Sequence, residues 1–339
     1  MARLLTTGFE TGDMLDFSSY TNCVMESGVK HTGSYSAKIA NTSITPDGLK
    51  YILTTAASAL YIRAWVYIDS DANKQQTTPL IGFYLTDGTY VGAIVTFSLS
   101  GTYNIRLTRN GTILATGTEV FNWDEWFMIE LYVLVDNSSG VGQIRINSVL
   151  DIDYSGDTQP NTSTDISYVR ITSGSDDWVM YVDDVAINDT TGGADNTWPG
   201  DGRVIAILPD GAGDNTDFTP SAGSNYQNVD ERPPDGDTTY NESDTDTDYD
   251  LFNLAACGLS DVTILGIDVK LTVRKTVANG DQMRAKIKTG GTEYNGSDFD
   301  PSTTYTRQVA TWRTNPNTSS AWTISDVDAL QAGYENRAA

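Results

Sequence analysis

Histidine is almost missing from this chain of 339 residues, because His31 is the only one. It lies in the segment HTGS, whose composition is typical of a turn. A Ser-His-Asp or Cys-His pair would have to use this one residue, and a zinc site built on several histidines is excluded. We therefore expect a structural role for His31 and no nucleophilic or zinc catalysis.

Cysteines and long apolar runs are also scarce. Cys23 and Cys257 lie far apart in the sequence, so a disulfide framework is excluded as the main source of stability. No apolar run approaches the ~20 residues that a membrane-spanning helix needs. The N-terminal MARLLTTGFETGD lacks the continuous apolar stretch of a secretory signal. We expect no membrane insertion, and synthesis and assembly in a cytoplasm. The alternative is a mature secreted product whose signal has been removed, against which Met1 argues.

Positive charge is in short supply, with 21 basic against 45 acidic side chains and a net charge of −24. The sequence contains no cluster of Lys and Arg from which a groove for a nucleic-acid backbone could be built. We therefore predict no nucleic-acid partner. The large negative charge favours solubility and mutual repulsion between copies.

The first half of the chain has short β segments separated by Gly, Asn, Asp and Ser. Alternation of period two, clearest at Ile105 and Leu107 and along 129–135, predicts strands. Asn110-Gly111 predicts a type I′ hairpin turn, and Asp87-Gly88 a second tight turn. The predicted strands are 4–9, 35–39, 50–54, 59–68, 80–85, 91–99, 103–108, 112–116, 126–135, 143–149, 168–171 and 179–187. So many strands and no sustained helical period indicate two large antiparallel sheets packed face to face.

The polar stretch NDTTGGADNTWPGDG indicates a domain boundary. We predict a first domain over 1–190, a linker over 191–202 and a smaller β domain over 203–339. Within the second domain, the acidic, turn-rich region 209–250 predicts a long surface arm, and strands are expected at 264–274, 282–289 and 305–310. A short helix over 326–332, capped by Ser325 and stopped by Gly333, is predicted near the end. The fold class is all-β.

Three carboxylates are candidate metal ligands. The first and last strands of a β-sandwich commonly lie side by side, which would bring Glu10 close to Asp183 or Asp184. Neighbouring carboxylates repel one another unless a cation or hydrogen-bond donors neutralise them. Calcium takes six to eight oxygen ligands, and the carbonyls of Thr32 and Gly33 could complete its shell. The alternative is that Asp183 and Asp184 straddle a strand, one facing solvent and one bonding a loop.

The remaining motifs give weaker evidence about function. The run DTDTDYD fails as an EF-hand, because Tyr249 and Ala255 stand where Gly and Glu are required. Core burial is the expectation for tryptophans in or beside strands, with glycan contact as the alternative; these are Trp65, Trp123, Trp126 and Trp178. We expect Trp312 and Trp322 to anchor the arm and the helix.

Two resemblances follow from motifs in their order along the chain. GFETGD, HTGSYSAKI, WDEWFMIELYV and YVDDVAI together resemble the concanavalin A-like, laminin-G-like jelly roll over about residues 1–190. That resemblance implies a jelly-roll sandwich, often with structural calcium, that often binds glycans or proteins. The chain lacks the E-x-D-x-x-E acid cluster of the glucanase branch, so hydrolysis is not expected.

The second half is similar to domains of phage tail and virion proteins. NVDERPPDGDTTYNES, TDYDLFNL and NPNTSSAWTISDVDALQAGYE carry this similarity. It implies a non-enzymatic exterior component of a tailed-phage virion, such as a capsid decoration, head fibre or tail-associated protein, made in the host cytoplasm. Other virion proteins and further copies of this chain are the expected partners, with a host-surface glycan in addition. The alternatives are a carbohydrate-binding module or adhesin and, last, a polysaccharide hydrolase or lyase.

Overall fold

The regular secondary structure of the chain is almost entirely β-strand. The computed structural model describes residues 3–40, 48–69, 79–97, 103–173 and 179–337. The chain divides into two compact units, residues 1–205 and 206–339. No helix in these described stretches is long and apolar enough to cross a membrane. The prediction of an all-β protein with a large β-sandwich, a smaller one and one short helix is confirmed.

The first unit contains fifteen strands within the described residues. They are β1 (Arg3–Thr7), β2 (Ser19–Thr21), β3 (Cys23–Glu26), β4 (Ser36–Ala40), β5 (Gly48–Ala57), β6 (Ala59–Ile68), β7 (Ile81–Leu85), β8 (Tyr90–Phe97), β9 (Tyr103–Arg109), β10 (Thr112–Thr116), β11 (Trp126–Leu134), β12 (Gly140–Ile146), β13 (Val149–Gly156), β14 (Ile166–Thr172) and β15 (Val179–Asp189). The predicted strand 91–99 is confirmed to residue 97; residues 98 and 99 lie outside the described part.

These strands form two antiparallel sheets. The eight-stranded sheet has the order β13-β12-β11-β6-β15-β4-β3, with β1 paired to β15, and the seven-stranded sheet has the order β10-β9-β8-β7-β14-β5-β2. Side chains alternate along β6, so that Ile62 and Val66 are fully buried while Trp65 and Tyr67 lie on the other face. The inward side chains of both sheets form one hydrophobic cluster.

The second unit is built from nine strands and one short α-helix. They are β16 (Pro209–Thr216), β17 (Thr219–Pro220), β18 (Asn241–Glu242), β19 (Tyr249–Leu254), β20 (Ile267–Val273), β21 (Gln282–Thr289), β22 (Thr292–Asn295), β23 (Thr306–Trp312), α1 (Ile324–Asp328) and β24 (Gln331–Arg337). A five-stranded sheet, β16-β19-β24-β21-β22, packs on the two-stranded sheet β20-β23 around Phe252, Leu271 and Tyr334.

Two local predictions for this unit are wrong. The helix is Ile324–Asp328, capped by Thr323 instead of Ser325, and Gly333 lies inside β24 instead of ending the helix. The region 209–250 is not one continuous arm, because it contains β16, β17, β18 and a 3-10 helix at Asn225–Asn228. Trp322 does anchor the helix, since it packs with Val327 and its indole N–H donates to the Trp312 carbonyl at 2.9 Å.

The segment predicted as a linker lies against the first unit. The Gly200 N–H donates to Glu130 Oε1 at 2.8 Å, and the Gly200 carbonyl accepts a bond from Arg63 at 3.0 Å. The Asn188 side chain donates to the Thr197 carbonyl at 2.7 Å. The boundary between the two units falls after residue 205.

Candidate functional site

The predicted carboxylate cluster lies where β1 meets β15. These two strands pair in antiparallel register, with Thr7 opposite Val185, as expected for the first and last strands of the sandwich. Glu10 follows β1, and Asp183 and Asp184 belong to β15. All three side chains are buried.

A β-bulge aims both aspartates at the same loop. The register of β15 against β6 shifts between Asp183 and Ala186, and Asp184 adopts a φ of 46°. Side chains of consecutive strand residues ordinarily point to opposite faces, and a bulge redirects one of them. The alternative that one of the two aspartates faces solvent is therefore wrong.

Both ends of the loop 31–35 are held by these carboxylates. Glu10 Oε1 accepts the N–H groups of Ser34 at 2.7 Å and Tyr35 at 3.0 Å. Asp183 Oδ2 accepts the N–H groups of His31 at 2.9 Å and Thr32 at 3.2 Å. These donors neutralise the carboxylates within the protein itself.

Asp184 adds bonds to side chains and to a later segment of the chain. Its Oδ2 accepts the Thr32 hydroxyl at 2.8 Å and lies 2.9 Å from His31 Nδ1, while Oδ1 accepts the Val204 N–H at 2.7 Å. Burial and the neighbouring Asp184 carboxylate raise the pKa of Asp183 to about 8. The cluster thus joins four segments of the chain: Glu10, the loop 31–35, Asp183–Asp184 and Val204.

Calcium at this cluster stays a prediction. Carboxylate and carbonyl oxygens are the donor set that calcium prefers, and Glu10, Asp183 and Asp184 are joined through one loop. Among the described residues, however, no three His, Cys, Asp or Glu side chains are grouped so that they could hold a metal ion. A bound calcium would therefore need carbonyl oxygens, such as those of Thr32 and Gly33, for most of its ligands.

The tryptophans of the first unit pack mainly against their neighbours. The His31 ring stacks on Trp65 with a centroid distance of 3.7 Å, and Trp126 lies 5.7 Å from the same imidazole. Trp123 packs against the hydrophobic core. Trp178 lies outside the described residues. His31 therefore contributes packing and a contact to Asp184.

A second candidate site lies on the outer face of the seven-stranded sheet. We call it the tyrosine–cation face; it consists of Lys50, Tyr84, Tyr90, Arg106, Tyr168 and Arg170, on five neighbouring strands. In register, Tyr84 lies opposite Tyr90 on one side and Tyr168 on the other. The next row of the sheet places Arg170 opposite Lys50.

The aromatic rings of this face contact one another. Tyr84 stacks on Tyr168 at 4.9 Å with an interplanar angle of 8°, and Tyr90 is tilted at 5.4 Å from Tyr84. Lys50 Nζ lies 4.1 Å from the centroid of the Tyr168 ring. Burial raises the pKa of all three phenols. They therefore stay protonated at neutral pH and can donate hydrogen bonds.

Two glycines make this packing possible. Gly82 and Gly92 are paired between β7 and β8. A Cβ at Gly82 would lie 2.7 Å from the Tyr84 ring, and a Cβ at Gly92 would lie 2.9 Å from Pro79 Cβ. Side chains at either position would displace Pro79 or Tyr84 from the sheet.

Sequence reasoning missed the tyrosine–cation face. Five of its members occupy predicted strands, and Tyr90 lies one residue before the predicted strand 91–99. The six residues come from segments as far apart as residues 50 and 170. The period-two pattern shows which residues share a face of one strand. It does not show which strands are neighbours, so the sequence contains no signal that joins these six side chains.

Among the comparisons with known proteins, only solved structures give matches. No family model matches, and no curated protein matches. The chain is similar to the cellulose-induced protein Cip1 at 15% identity and a TM-score of 0.41, covering 58% of this chain and 100% of that chain. It is also similar to the alginate lyase Aly36B, at 12% identity and a TM-score of 0.39, covering 55% of this chain and 93% of that one.

A third similar structure is a carbohydrate esterase from the Shiga toxin-encoding bacteriophage phi24B. Its identity to this chain is 13% and its TM-score 0.41, and the match covers 55% of this chain and 97% of that one. By name, these three proteins are a cellulose-induced protein, an alginate lyase and a carbohydrate esterase. At such identities and TM-scores, the similarities do not assign a function to this chain.

Proposed function

We propose that the first unit binds a carbohydrate chain, without cleaving it, on the tyrosine–cation face. The observation that carries this proposal is the row of Tyr90, Tyr84 and Tyr168 on three neighbouring strands, flanked by cationic side chains. Glycan ligands present many hydroxyl oxygens, and ligand sites combine aromatic surface with a few convergent polar groups. The partly exposed phenols of Tyr90 and Tyr168 and the cations supply donors for those oxygens, whereas the buried Tyr84 packs against both rings.

Binding without catalysis is supported by what lies on this face. General-base catalysis needs a group that is deprotonated at the working pH, and burial raises the pKa of Tyr84, Tyr90 and Tyr168 instead. His31 and the three predicted carboxylates belong to the other sheet or to the loop beside it. None of them is positioned to act on a ligand of the tyrosine–cation face.

A glycan array probed with the full chain tests the proposal. We expect specific hits for the wild-type protein and at least tenfold weaker binding for Tyr168→Ala, because this change removes the ring between Tyr84 and Lys50. The control Tyr240→Ala alters a partly exposed tyrosine of the second unit and should bind like wild type. An array without specific hits would contradict the proposal, as would shortening of the bound glycan during incubation.

We place the chain on the exterior of a tailed-phage virion, where glycan binding would contribute to host-surface attachment. The resemblance of the second half to phage virion domains supports this part of the proposal. Mass spectrometry of purified virions, combined with immunolabelling in negative stain, tests it. Signal over the head would indicate a decoration or head-fibre role and signal on the tail an adhesion role. Absence from the particle would contradict a virion role and leave a carbohydrate-binding module.

A further inference from the structure

We infer that the ligand of the tyrosine–cation face is a polyanionic glycan, a chain whose units carry carboxylates or sulfates. This inference rests on the proposed function and adds the charge of the ligand to it. Three cations, Lys50, Arg106 and Arg170, lie on the outer side of a single sheet in a chain with a net charge of −24. Such a local reversal of sign raises the local concentration of anions.

Several other cations of the chain pair with acidic side chains. Elsewhere, Arg109 pairs with Asp157, and Arg284 pairs with Glu335 at 2.6 Å. Within the described part of the chain, Lys50, Arg106 and Arg170 form no salt bridge. Cations that served only to hold the sheet together would be expected to have acidic partners. Their charge is therefore available to a ligand.

Two of the guanidinium groups also contain an unsatisfied donor. The Nε atoms of Arg106 and Arg170 are buried and lack a hydrogen-bond partner among the described residues. A buried donor that is left unpaired costs free energy, and a guanidinium can bind a carboxylate or sulfate through two parallel N–H···O bonds. An oxyanion at each arginine would bind the terminal Nη groups first, and a small shift of the guanidinium would bring the buried Nε to the same acceptor.

The spacing of the cations indicates a chain and not a single sugar. Arg170 and Lys50 are cross-strand neighbours, so they can share one oxyanion. Arg106 lies three strands away on β9, which puts its Cα roughly 16 Å from that of Arg170 at ordinary strand and residue spacings. Several charged units of one polymer are needed to reach both positions.

Calorimetric titration of the full chain with charge-matched polymers tests the inference. The probes are polygalacturonate and its fully methyl-esterified form, dextran sulfate and dextran, and a single-stranded oligonucleotide. We expect the charged polysaccharide of at least one pair to bind tenfold or more tightly than its neutral counterpart. This preference should shrink as salt is added, because salt screens the cations. The response of the two pairs separates a carboxylate from a sulfate as the preferred group.

Substitutions show which residues bind the charged polymer. Arg170→Gln and Arg106→Gln should each weaken binding of the charged polymer at least fivefold, and the control Arg203→Gln, at an exposed arginine of the same unit, should not. Lys50→Gln tests the same face if an arginine variant unfolds, and thermal unfolding of each variant reports folding.

Each contrary outcome has a separate meaning. Equal affinity for charged and neutral polymers would overturn the inference and leave carbohydrate binding intact, whereas no binding to any polysaccharide would overturn both. Tighter binding of the oligonucleotide would overturn the assignment of a glycan. Binding of the charged polymer that Arg106→Gln, Arg170→Gln and Lys50→Gln leave unchanged would show that this face is the wrong site.

Discussion

Gly33 illustrates how a single residue holds the loop beside the carboxylate cluster. Its φ is +62°, and a Cβ added there would lie 2.2 Å from Glu10 Oε1, within the carboxylate that binds Ser34 and Tyr35. A side chain at this position would therefore both strain the backbone and displace Glu10. The loop depends on the glycine for two separate reasons.

Gly33→Ala is expected to lower the free energy of unfolding by about 2–4 kcal/mol. About 1–2 kcal/mol comes from the left-handed backbone, and the rest from lost bonds to the buried Glu10 carboxylate. Gly88→Ala is the matched control, because Gly88 has a φ of +85° and nothing within 4 Å of an added Cβ. Urea unfolding measures both, and equal losses would contradict the role of Glu10.

Calcium gives a second prediction at the scale of single residues. Calcium added to metal-free protein should raise the midpoint of thermal unfolding, because a ligand that binds only the folded state stabilises it, by about 2.7 kcal/mol at a hundredfold excess over Kd. Glu10→Gln should abolish this shift, whereas Glu242→Gln, at an exposed position in the second unit, should preserve it. Identical melting in calcium and in chelator would refute the predicted metal site.

At the scale of elements, β21 and β24 are joined by a cluster of charges. The Glu335 carboxylate on β24 accepts a hydrogen bond from the Arg284 guanidinium at 2.6 Å and lies 2.8 Å from Lys286 Nζ. Both cations belong to β21. Arg337 lies 3.3 Å from the same carboxylate. Burial raises the pKa of Glu335, but the bonds from Lys286 and Arg284 outweigh burial and hold that pKa below its usual 4.5.

The sign of the pH dependence follows from that lowered pKa. The unfolded state binds the proton of Glu335 more readily, so the stabilisation is fully present above the ordinary pKa of 4.5 and is lost as pH falls through the folded pKa. Glu335→Gln should remove this loss of stability at acid pH. It should also cost about 3 kcal/mol at neutral pH, since it removes the buried anion that Lys286 and Arg284 share and leaves them only the more exposed Glu293 and Asp298.

The surface pair of Arg274 and Asp237 is the control for this prediction. The Asp237 side chain is 65% exposed, so Asp237→Asn should leave the free energy of unfolding nearly unchanged. Urea unfolding between pH 3 and pH 7, at about half-unit steps, measures both variants. If Glu335→Gln loses stability at acid pH as the wild-type protein does, other carboxylates are responsible for that loss.

Local sequence signals predicted some elements well. The turn at Asn110 and Gly111 has φ angles of 43° and 85°, as the dipeptide requires, and β6 matches the predicted strand 59–68 within the bounds Ala59–Ile68. In both cases the information lies in neighbouring residues: turn chemistry for the hairpin, and a run of apolar, aromatic and β-branched residues for the strand.

Several strands were not predicted, and β16 and β24 show why: distant partners form them. β16 has the sequence PDGAGDNT, which lacks apolar alternation, and it exists through pairing with β19. β24 looks like the end of a helix, yet it lies between β19 and β21 in the sheet. Gly333 permits this, since a Cβ there would lie 1.9 Å from the Asp250 carbonyl oxygen.

The same limit applies to the candidate sites. Glu10, Asp183 and Asp184 could be predicted to approach one another, because the first and last strands of a sandwich commonly pair. The bulge that turns both aspartates toward one loop leaves no mark in the sequence. The tyrosine–cation face depends on the order of five strands, which period-two patterns do not encode.

At the scale of the whole molecule, the chain consists of two units with separate hydrophobic cores. The core of residues 1–205 contains side chains from both large sheets, whereas the second unit is built around Phe252, Tyr334 and Trp322. Each core belongs to one unit alone, so each unit satisfies the requirement for independent folding.

Fragments 1–205 and 206–339 should therefore each unfold cooperatively by themselves. Scanning calorimetry should show one transition per fragment, with Tm values that correspond to two transitions in the full chain. Loss of a cooperative transition in either fragment would show that its core depends on the other unit.

A crystal structure of the full chain with an oligosaccharide that binds it would show directly whether the tyrosine–cation face is the binding site. We expect ligand density on the outer face of the seven-stranded sheet, within hydrogen-bond distance of Tyr168 and Arg170. Density elsewhere, for example beside Trp65 and Trp126 on the eight-stranded sheet, would contradict the assignment of the site.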